Sequence, residues 1–571
     1  MSVIKILDKF LTLELTGNLA TDELLFNNTS LNSQMRNIVV NWLIEVSNMI
    51  KLQTKTTILA ISYLDTFINN NNEIHKENFQ IYGIVCLDLA SKMTEIYAPD
   101  IYDYEIISKG KVTTDDIIEN EIIVYDSLNH KLIQPTLYIF YECYKELHRN
   151  TEDNIIDWNT IQYSKSILLA SLLNIDSLKF LPSIIALSSL IVGKWLSDKK
   201  ENIKFDIIKL INNIYNNKYY ETNFTYNELI YSCSYIINML RNTLNTNYIS
   251  WINNMDYSKI NDSTDWEIDL SLYNKYIKYI LRPKNIHTTK DIVDSNKIKK
   301  NEKLGVGVFG SVYKIKYNNE IKAFKEIDCI HNVNGIDVSI LIEISILNYV
   351  SHANLLDLDK IVYTSDNKCY SIIFEYMEKD LKSVIGELSI YQIKRYSNQL
   401  LQAVEYLHIN GIIHRDIKPQ NILIKGNDIK LADYGISLPM VVTKGSYNQN
   451  VVTLWYRPIE LLMGIQQYSF EIDIWSCGCV ISEMNSGNIL FPGDSNIDTI
   501  YRIMRSFGSS DFFIGLPEYR KSMPQWKRKD LKEVFFTDDE QLINMLEGMF
   551  TYNPDNRDTA TTSLSYPWLI Y

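Results

Sequence analysis

Residues 414–421 read His-Arg-Asp-Ile-Lys-Pro-Gln-Asn, and this stretch decides how the C-terminal half of the chain is interpreted. It brings together a carboxylate (Asp416), a lysine (Lys418) and an amide (Asn421). A carboxylate can act as a general base, a lysine can neutralise negative charge, and an amide oxygen can bind a hard cation. Each of these groups alone would be an ordinary surface residue. The stretch therefore predicts a catalytic loop only if matching groups occur elsewhere.

Matching groups do occur, in order, on both sides of this stretch. Gly305-Val-Gly-Val-Phe-Gly310 is a glycine-rich turn whose backbone amides can approach phosphates, because no side chain blocks them. Ala323-Phe-Lys325 follows, and a helical pattern then carries Glu343. Asp433-Tyr-Gly435 comes after the catalytic stretch and supplies a second carboxylate for a metal. The set predicts a site that places charge around a transferring phosphoryl group.

In these motifs the second half resembles a protein kinase. The resemblance implies ATP and Mg²⁺ as cofactors and assigns roles by position. The catalytic residues are Asp416, Lys418, Lys325 and Glu343; the ATP-binding residues are Gly305, Gly307, Gly310, Ala323, Lys325, Phe374, Glu375, Met377 and Asp380; the metal ligands are Asn421 and Asp433. It also implies a structural ion pair between Glu460 and Arg557 in the large lobe.

Three later segments resemble the cyclin-dependent kinases in particular. They are Val451-Val-Thr-Leu-Trp-Tyr-Arg457, Asp473-Ile-Trp-Ser-Cys-Gly-Cys479 and Leu490-Phe-Pro-Gly-Asp-Ser-Asn-Ile-Asp498. The resemblance covers about residues 301–569 and implies a serine/threonine kinase whose acceptor is followed by proline. By the same resemblance, Val452, Thr453 and Arg457 belong to the substrate pocket.

The chain departs from that family at positions that control activity. The activation-loop threonine is replaced by Asn448, and two of the arginines that would grip its phosphate are replaced by Ile342 and Leu438. Only Arg415 remains, so a phosphate there could not recruit the usual charge-assisted hydrogen bonds. Val308 and Phe309 also stand where many members carry the Thr-Tyr pair used for inhibitory phosphorylation. We therefore predict activity without activation-loop phosphorylation and without that inhibitory switch.

The first half, about residues 31–281, shows apolar residues at three- and four-residue spacing and is predicted to be all-α. Its segments 35–46, 63–67 and 89–99 resemble a cyclin box, and residues 180–186 resemble the second cyclin fold. The resemblance implies a polar pair between Arg36 and Asp65. It also implies that Lys92 and Glu121 contact the kinase helix that carries Glu343. The docking patch for Arg-x-Leu segments would comprise Met35, Ile38, Val39, Trp42, Glu45 and Gln80.

The predicted fold is multidomain: an all-α cyclin fold with two cyclin-box repeats, followed by an α+β bilobal protein kinase fold. The predicted boundaries are an N-terminal extension at 1–30, cyclin boxes at 31–132 and 133–281, a linker at 282–300, and kinase lobes at 301–384 and 385–571. A tether of this length gives a roughly millimolar effective concentration, which is compatible with intramolecular pairing of cyclin and kinase. A domain-swapped dimer stays open as the alternative.

Composition limits the partners and the compartment. The chain has 571 residues and a formal net charge of −13, which argues against nucleic-acid coating or binding to an anionic membrane. Its 7 cysteines are scattered and include no CxxC pair, which fits a reducing compartment. No signal peptide is recognisable, so we expect an intracellular protein of cytoplasm or nucleus. The richness in Ile, Asn and Lys indicates an A/T-rich genome, such as that of a large DNA virus.

The sequence thus predicts a proline-directed serine/threonine kinase that its fused cyclin activates in cis, with Ser/Thr-Pro protein substrates. Two alternatives remain open. One is a non-catalytic scaffold in which the cyclin patch recruits partners and the kinase half only binds nucleotide. The other is a transcription-type kinase that acts on the polymerase tail.

Overall fold

The structure is a computed structural model. It describes residues 3–16, 31–71, 74–149, 156–197, 226–244, 293–294, 298–307, 310–327, 334–364, 369–442 and 444–569. The chain divides into two compact units. The first contains Ser2–Thr288 and Val333–Ile336, and the second contains Thr289–Asn332 and Asp337–Tyr571.

The first unit is built of helices in the part of it that the structure describes. They are α1 (Val3–Thr16), α2 (Ser33–Met49), α3 (Thr54–Asn70), α4 (Phe79–Thr94), α5 (Ile101–Ile107), α6 (Thr114–Ser127), α7 (Leu137–Arg149), α8 (Trp158–Leu173), α9 (Pro182–Ser197) and α10 (Tyr226–Leu244). The predicted all-α first half is confirmed for these residues. Residues 150–155, 198–225 and 245–281 of the predicted second box, and 282–292 and 295–297 of the predicted linker, lie outside the described residues.

Local sequence explains where several of these helices begin. Thr113 accepts a hydrogen bond from the backbone N–H of Asp116, whose side chain bonds back to Thr113, so α6 starts with a capping box. Asn32 caps α2 through the N–H of Met35. Helix α3 packs against α2, α4, α7 and α8, which explains why it is buried over most of its length, polar residues included.

Helix α1 is tied to a residue far away in the sequence. Glu14 is fully buried and accepts hydrogen bonds from the backbone N–H and the hydroxyl of Ser183, both at 2.7 Å. Ser183 lies in the first turn of α9, where the helix dipole favours a negative charge. Glu14 therefore pins α1 to the second part of the helical unit. Residues 17–30, which complete the predicted extension, lie outside the described residues.

The second unit begins with a sheet. Its strands are β1 (Val293–Asp294), β2 (Lys300–Gly307), β3 (Gly310–Tyr317), β4 (Glu320–Ile327), β5 (Leu358–Thr364) and β6 (Cys369–Glu375), in the order β1-β5-β6-β4-β3-β2. Strand β1 pairs with β5 in parallel, and the other pairs are antiparallel. Helix α11 (Val338–Tyr349) lies between β4 and β5 in the sequence and packs against β5.

A helical lobe follows, as predicted. Short strands are β7 (Lys379–Asp380), β8 (Ile422–Lys425), β9 (Asp428–Leu431), β10 (Gly445–Ser446) and β11 (Gln467–Tyr468); the helices are α12 (Ile390–Ile409), α13 (Ile459–Leu462), α14 (Glu471–Ser486), α15 (Asn496–Phe507), α16 (Leu531–Phe535), α17 (Glu540–Met549) and α18 (Ala560–Leu564). The predicted ion pair is confirmed: Arg557 donates to both oxygens of Glu460, at 2.7 and 2.8 Å.

Nowhere in the described ranges does a helix combine the length and the apolar character that crossing a lipid bilayer needs.

Candidate active site

The small lobe joins the predicted lysine to its partner glutamate. Strand β4 carries Lys325, whose Nζ lies 2.7 Å from both carboxylate oxygens of Glu343 on α11. Asp433 lies 3.7 Å from the same ammonium. Burial works to lower the pKa of Lys325, but the facing carboxylates outweigh it, so the pKa is raised and the lysine stays charged. The site thus holds a fixed positive charge where the glycine-rich turn ends.

The catalytic stretch positions Asp416 through three neighbours. Its Oδ2 accepts from Lys418 Nζ at 2.6 Å and from Asn421 Nδ2 at 2.9 Å, and its Oδ1 accepts from the Thr453 hydroxyl at 2.7 Å. Burial alone would raise the pKa of Asp416, but the hydrogen bonds from Lys418 and Thr453 prevail and lower it. The carboxylate is therefore ionised and oriented, as a proton acceptor requires.

Asp473 holds this stretch in place, a role that sequence reasoning missed. The buried carboxylate, on α14, accepts from the backbone N–H of His414 at 2.8 Å and of Arg415 at 2.9 Å, and contacts His408 Nε2 at 2.9 Å. Arg415 has a φ of 67°, a left-handed conformation that costs energy for a residue with a Cβ. Asp473 stabilises that conformation. The Asp473-Ile-Trp segment is recognisable in the sequence, but its contact is not.

The predicted nucleotide-binding residues lie on the strands around Lys325. Gly305 and Gly307 end β2, and Gly310 starts β3. A Cβ added at Gly305 would meet nothing within 4 Å, so the space beside this backbone is open. Val308 and Phe309 lie outside the described residues. On the neighbouring strands, Ala323 pairs with Phe374 in register.

The segment after β6 carries the remaining nucleotide-binding predictions. Glu375 Oε1 is 2.6 Å from Lys430 Nζ, so its side chain is held by an ion pair. Met377 is half-buried. The Asp380 carboxylate accepts from the N–H of Ser383 at 2.8 Å and caps the turn that follows β7.

The donor set fits a magnesium ion. Asn421 uses its Nδ2 for bonds to the backbone carbonyl and the carboxylate of Asp416, which leaves its Oδ1 as the oxygen that a cation can take. The partly exposed carboxylate of Asp433 is the second oxygen donor. Oxygen ligands of this kind suit Mg²⁺. Asn421 and Asp433 would hold the ion, which when bound supplies positive charge to phosphate oxygens.

The predicted substrate pocket is built on an unusual backbone conformation. Val452 has a φ of 65°, and its carbonyl accepts from Arg457 Nη2 at 2.9 Å and Nε at 3.2 Å. Thr453 was predicted in the same pocket, and its hydroxyl is the group that bonds Asp416 Oδ1. The segment thus joins the predicted pocket to Asp416, the predicted base.

The three departures in phosphate control have distinct surroundings. Ile342 is 7% exposed and lies within a continuous run of buried residues of α11. Leu438 is half-buried and exchanges two backbone hydrogen bonds with Ile413. Asn448 is exposed, and its side chain accepts from the N–H of Asn450. Arg415 donates to the carbonyls of Ile436 and Ser437, so its guanidinium is engaged without a phosphate.

In the first unit, the predicted pair of Arg36 and Asp65 is confirmed. Two nitrogens of Arg36 bond the two carboxylate oxygens at 2.6 and 2.7 Å, and a third donates to the carbonyl of Leu172 at 2.8 Å. The bidentate pair is fully buried, and it ties α2 and α3 to the end of α8.

Lys92 and Glu121 meet in the same unit. Lys92 Nζ lies 2.6 Å from Glu121 Oε1, 2.8 Å from Asp88 Oδ2 and 2.8 Å from the carbonyl of Asn334. Glu121 Oε2 accepts from the N–H of Ile336 at 2.7 Å. These partners belong to the backbone segment that directly precedes α11, whereas the resemblance implied contacts with the helix itself. Sequence reasoning did not single out Asp88.

Two buried carboxylates therefore share one lysine. Burial, opposed by Lys92 and reinforced by Asp88, raises the pKa of Glu121 to about 7. Because the pKa lies above its ordinary value, the contribution of Glu121 to stability is complete below about pH 4.5 and is lost as the pH rises through about 7. We expect Asp88→Asn to lower the pKa of Glu121, so the variant should lose less thermal stability than the wild type between about pH 6 and 8.

Melting midpoints of both proteins across this range test the prediction. Asp176→Asn is the control, because Asp176 forms only an exposed pair with Lys179. Parallel curves for wild type and Asp88→Asn would contradict the proposed sharing of Lys92.

The predicted docking patch lies on α2 and at the start of α4. Ile38 is 64% exposed, whereas Val39 is buried and its methyl group would be 3.0 Å from a Cβ at Gly83. The other members are half-buried: Met35, Trp42, Glu45 and Gln80. Of the predicted patch, Ile38 is therefore the most exposed member and Val39 is buried.

Comparison with known families agrees with this geometry. Residues 298–569 match the protein kinase domain, and residues 5–133 match the cyclin N-terminal domain. The chain is an N-terminal cyclin domain fused to a C-terminal protein kinase domain. The cyclin match begins inside α1, a helix that lies wholly within the predicted extension.

Proposed function

We propose that the chain is a proline-directed serine/threonine protein kinase of the cyclin-dependent type, activated by its own cyclin domain and independent of activation-loop phosphorylation. The observation that carries the proposal is the environment of Asp416, an ionised carboxylate bonded by Lys418, Asn421 and Thr453. The Lys325–Glu343 pair accompanies it in the same unit. A kinase needs both arrangements at once to transfer a phosphoryl group.

Different residues would accept the proton of the substrate hydroxyl and offset the charge of the transferred phosphoryl group. The substrate hydroxyl would give its proton to Asp416, which Thr453 and Lys418 keep oriented. Lys418 and Lys325 would offset negative charge on the two sides of the transferred group. The serine/threonine assignment rests on the resemblance to the cyclin-dependent kinases.

The surroundings of Val452 support the preference for proline. Arg457 takes the Val452 carbonyl as its acceptor, so that oxygen is not available to a substrate N–H. A residue with an N–H directly after the acceptor would leave that donor unpaired, whereas proline has none. A peptide with proline at this position therefore binds without that cost.

Activation in cis is supported by the segment before α11. Lys92 and Glu121 bond the carbonyl of Asn334 and the N–H of Ile336, and the chain enters α11 at Val338. Glu343, the partner of Lys325, lies on that helix. Fixing its entry with cyclin-domain residues of the same chain would favour the paired state of Glu343.

The test is phosphate transfer from ATP to a Ser-Pro peptide by the full chain made in bacteria, which supply neither cyclin nor activating kinase. We expect transfer that survives phosphatase treatment, is absent in Asp433→Asn and has a specific activity independent of protein concentration. Loss after phosphatase treatment would contradict independence from loop phosphate. No transfer despite ATP binding would favour the scaffold. Activity that rises with concentration would indicate pairing between two chains.

A further prediction concerns self-phosphorylation. The chain has 12 prolines, and each follows Ala, Gln, Leu, Arg, Lys, Phe, Met, Asn or Tyr, so no Ser or Thr precedes any of them. A strictly proline-directed kinase therefore has no acceptor in this chain. We expect the intact mass to stay unchanged after incubation with ATP while a Ser-Pro peptide in the same tube is phosphorylated. Stoichiometric self-phosphorylation would contradict strict proline direction.

A further inference from the structure

Tyr468 lies between the catalytic stretch and the activation loop. Its hydroxyl accepts from Arg415 Nη1 at 3.2 Å and donates to the carbonyl of Asn448 at 2.8 Å. Arg415 directly precedes Asp416, and Asn448 is the residue that replaces the activation-loop threonine. The chain of hydrogen bonds from Arg415 through Tyr468 to Asn448, here called the loop clamp, joins these two segments.

The backbone around the loop clamp is fixed independently of the hydroxyl. Strands β10 and β11 pair antiparallel, with Gly445 opposite Tyr468 and Ser446 opposite Gln467. The N–H of Tyr447 donates to the carbonyl of Gln466 at 2.9 Å. Tyr468 is fully buried. Removing only its hydroxyl leaves this pairing in place, so the hydroxyl can be tested without dismantling the loop.

We infer that the Tyr468 hydroxyl is a positioning residue that does the work of the missing loop phosphate. A phosphate on an activation loop would link the loop to Arg415 by charge-assisted hydrogen bonds. Tyr468 makes the same link with a neutral group, and Asn448 supplies only its backbone carbonyl. Val452, a residue of the predicted substrate pocket, follows Asn448 by four positions. The loop clamp therefore positions the segment on which the substrate would lie. This inference rests on the proposed kinase function.

The Tyr468→Phe variant removes one hydrogen bond from each side of the hydroxyl. We expect kcat/KM for a Ser-Pro peptide to fall about tenfold. The fall should arise from a higher KM for the peptide, while the KM for ATP stays unchanged. Tyr552→Phe is the matched control, because Tyr552 also donates to a backbone carbonyl at 2.8 Å, that of Gly508, which lies outside the catalytic stretch and the activation loop.

Rescue separates positioning from general stability. In the Tyr468→Phe background, Asn448→Glu should restore most of the activity, because a carboxylate at the exposed position 448 offers Arg415 a new partner. Asn448→Gln has the same length without the charge and should restore none. Equal rescue by both, or equal activity of Tyr468→Phe and Tyr552→Phe, would overturn the inference.

A second variant covers the case in which Tyr468→Phe does not fold, and the activity of the wild type separates failure of the loop clamp from failure of the proposed function. If Tyr468→Phe does not fold, Arg415→Lys breaks the loop clamp from its other end, and a peptide kcat/KM equal to that of the wild type would overturn the inference. A wild-type chain without transfer counts against the proposed function. An active wild type with an unaffected Tyr468→Phe counts against the loop clamp alone.

Discussion

We expect Asp416→Asn to lower kcat for a Ser-Pro peptide about a thousandfold while leaving the affinity for ATP unchanged. The amide keeps the size of the side chain but cannot accept the proton of the acceptor hydroxyl. It also presents an N–H₂ group to Lys418 or Thr453, each of which now donates to the carboxylate. Steady-state transfer and calorimetric titration with ATP measure the two quantities separately.

The matched control is Asp428→Asn. Asp428 is also an aspartate bonded by a cation, Arg395 at 2.6 Å, but it is exposed and lies at the start of β9. An exposed ion pair of this kind contributes little to the stability of the fold. An Asp416→Asn variant that retained most of its transfer would contradict the role of Asp416 as the base. Equal losses in both variants would indicate general damage instead.

The sequence predicts the parts of this site whose partners belong to fixed motifs. The resemblance to protein kinases predicts two groups together, because their motifs occur in order: Lys325 with Glu343, and Asp416 with Lys418 and Asn421. The structure brings each group together. The motifs are sufficient here because phosphoryl transfer needs each residue type at a set place.

Other contacts were not predictable because they join distant residues to which the recognised motifs assign no partner. Asp473 and Tyr468 act on Arg415 from more than fifty positions along the chain. Glu14 and Ser183 are separated even further. In the sequence, nothing distinguishes such a carboxylate or tyrosine from other residues of its type, because only the fold shows which group it bonds.

Three residues of the candidate site have a left-handed backbone conformation, as do several residues elsewhere in the described part of the chain. Arg415, Asp433 and Val452 have φ values of 67°, 70° and 65°, in the left-handed region that costs about 1–3 kcal/mol for a residue with a side chain. Such conformations persist only where neighbours hold them. Asp473 bonds the N–H of Arg415, and Arg457 bonds the carbonyl of Val452. The fold thus uses the buried carboxylate of Asp473 and the half-buried guanidinium of Arg457 to keep the catalytic stretch and the predicted substrate pocket in place.

The engaged carbonyl of Val452 predicts a strong preference for proline directly after the acceptor residue. We expect a peptide with Ser-Ala in place of Ser-Pro to lose about 10- to 100-fold in kcat/KM, because alanine brings an N–H that finds no acceptor. A peptide with N-methylalanine at the same position lacks both the N–H and the proline ring. It should recover most of the loss. Parallel kinetics on the three peptides measure the contribution of the missing donor directly.

The Arg457→Leu variant tests the cause from the side of the enzyme. Without the guanidinium, the Val452 carbonyl is free to accept from a substrate N–H, so the ratio between Ser-Pro and Ser-Ala peptides should shrink. Arg502→Leu is the control, because Arg502 pairs only with Asp498 on the exposed face of α15. If N-methylalanine is as poor as alanine and Arg457→Leu keeps the full ratio, the shape of the proline ring, and not its missing N–H, sets the preference.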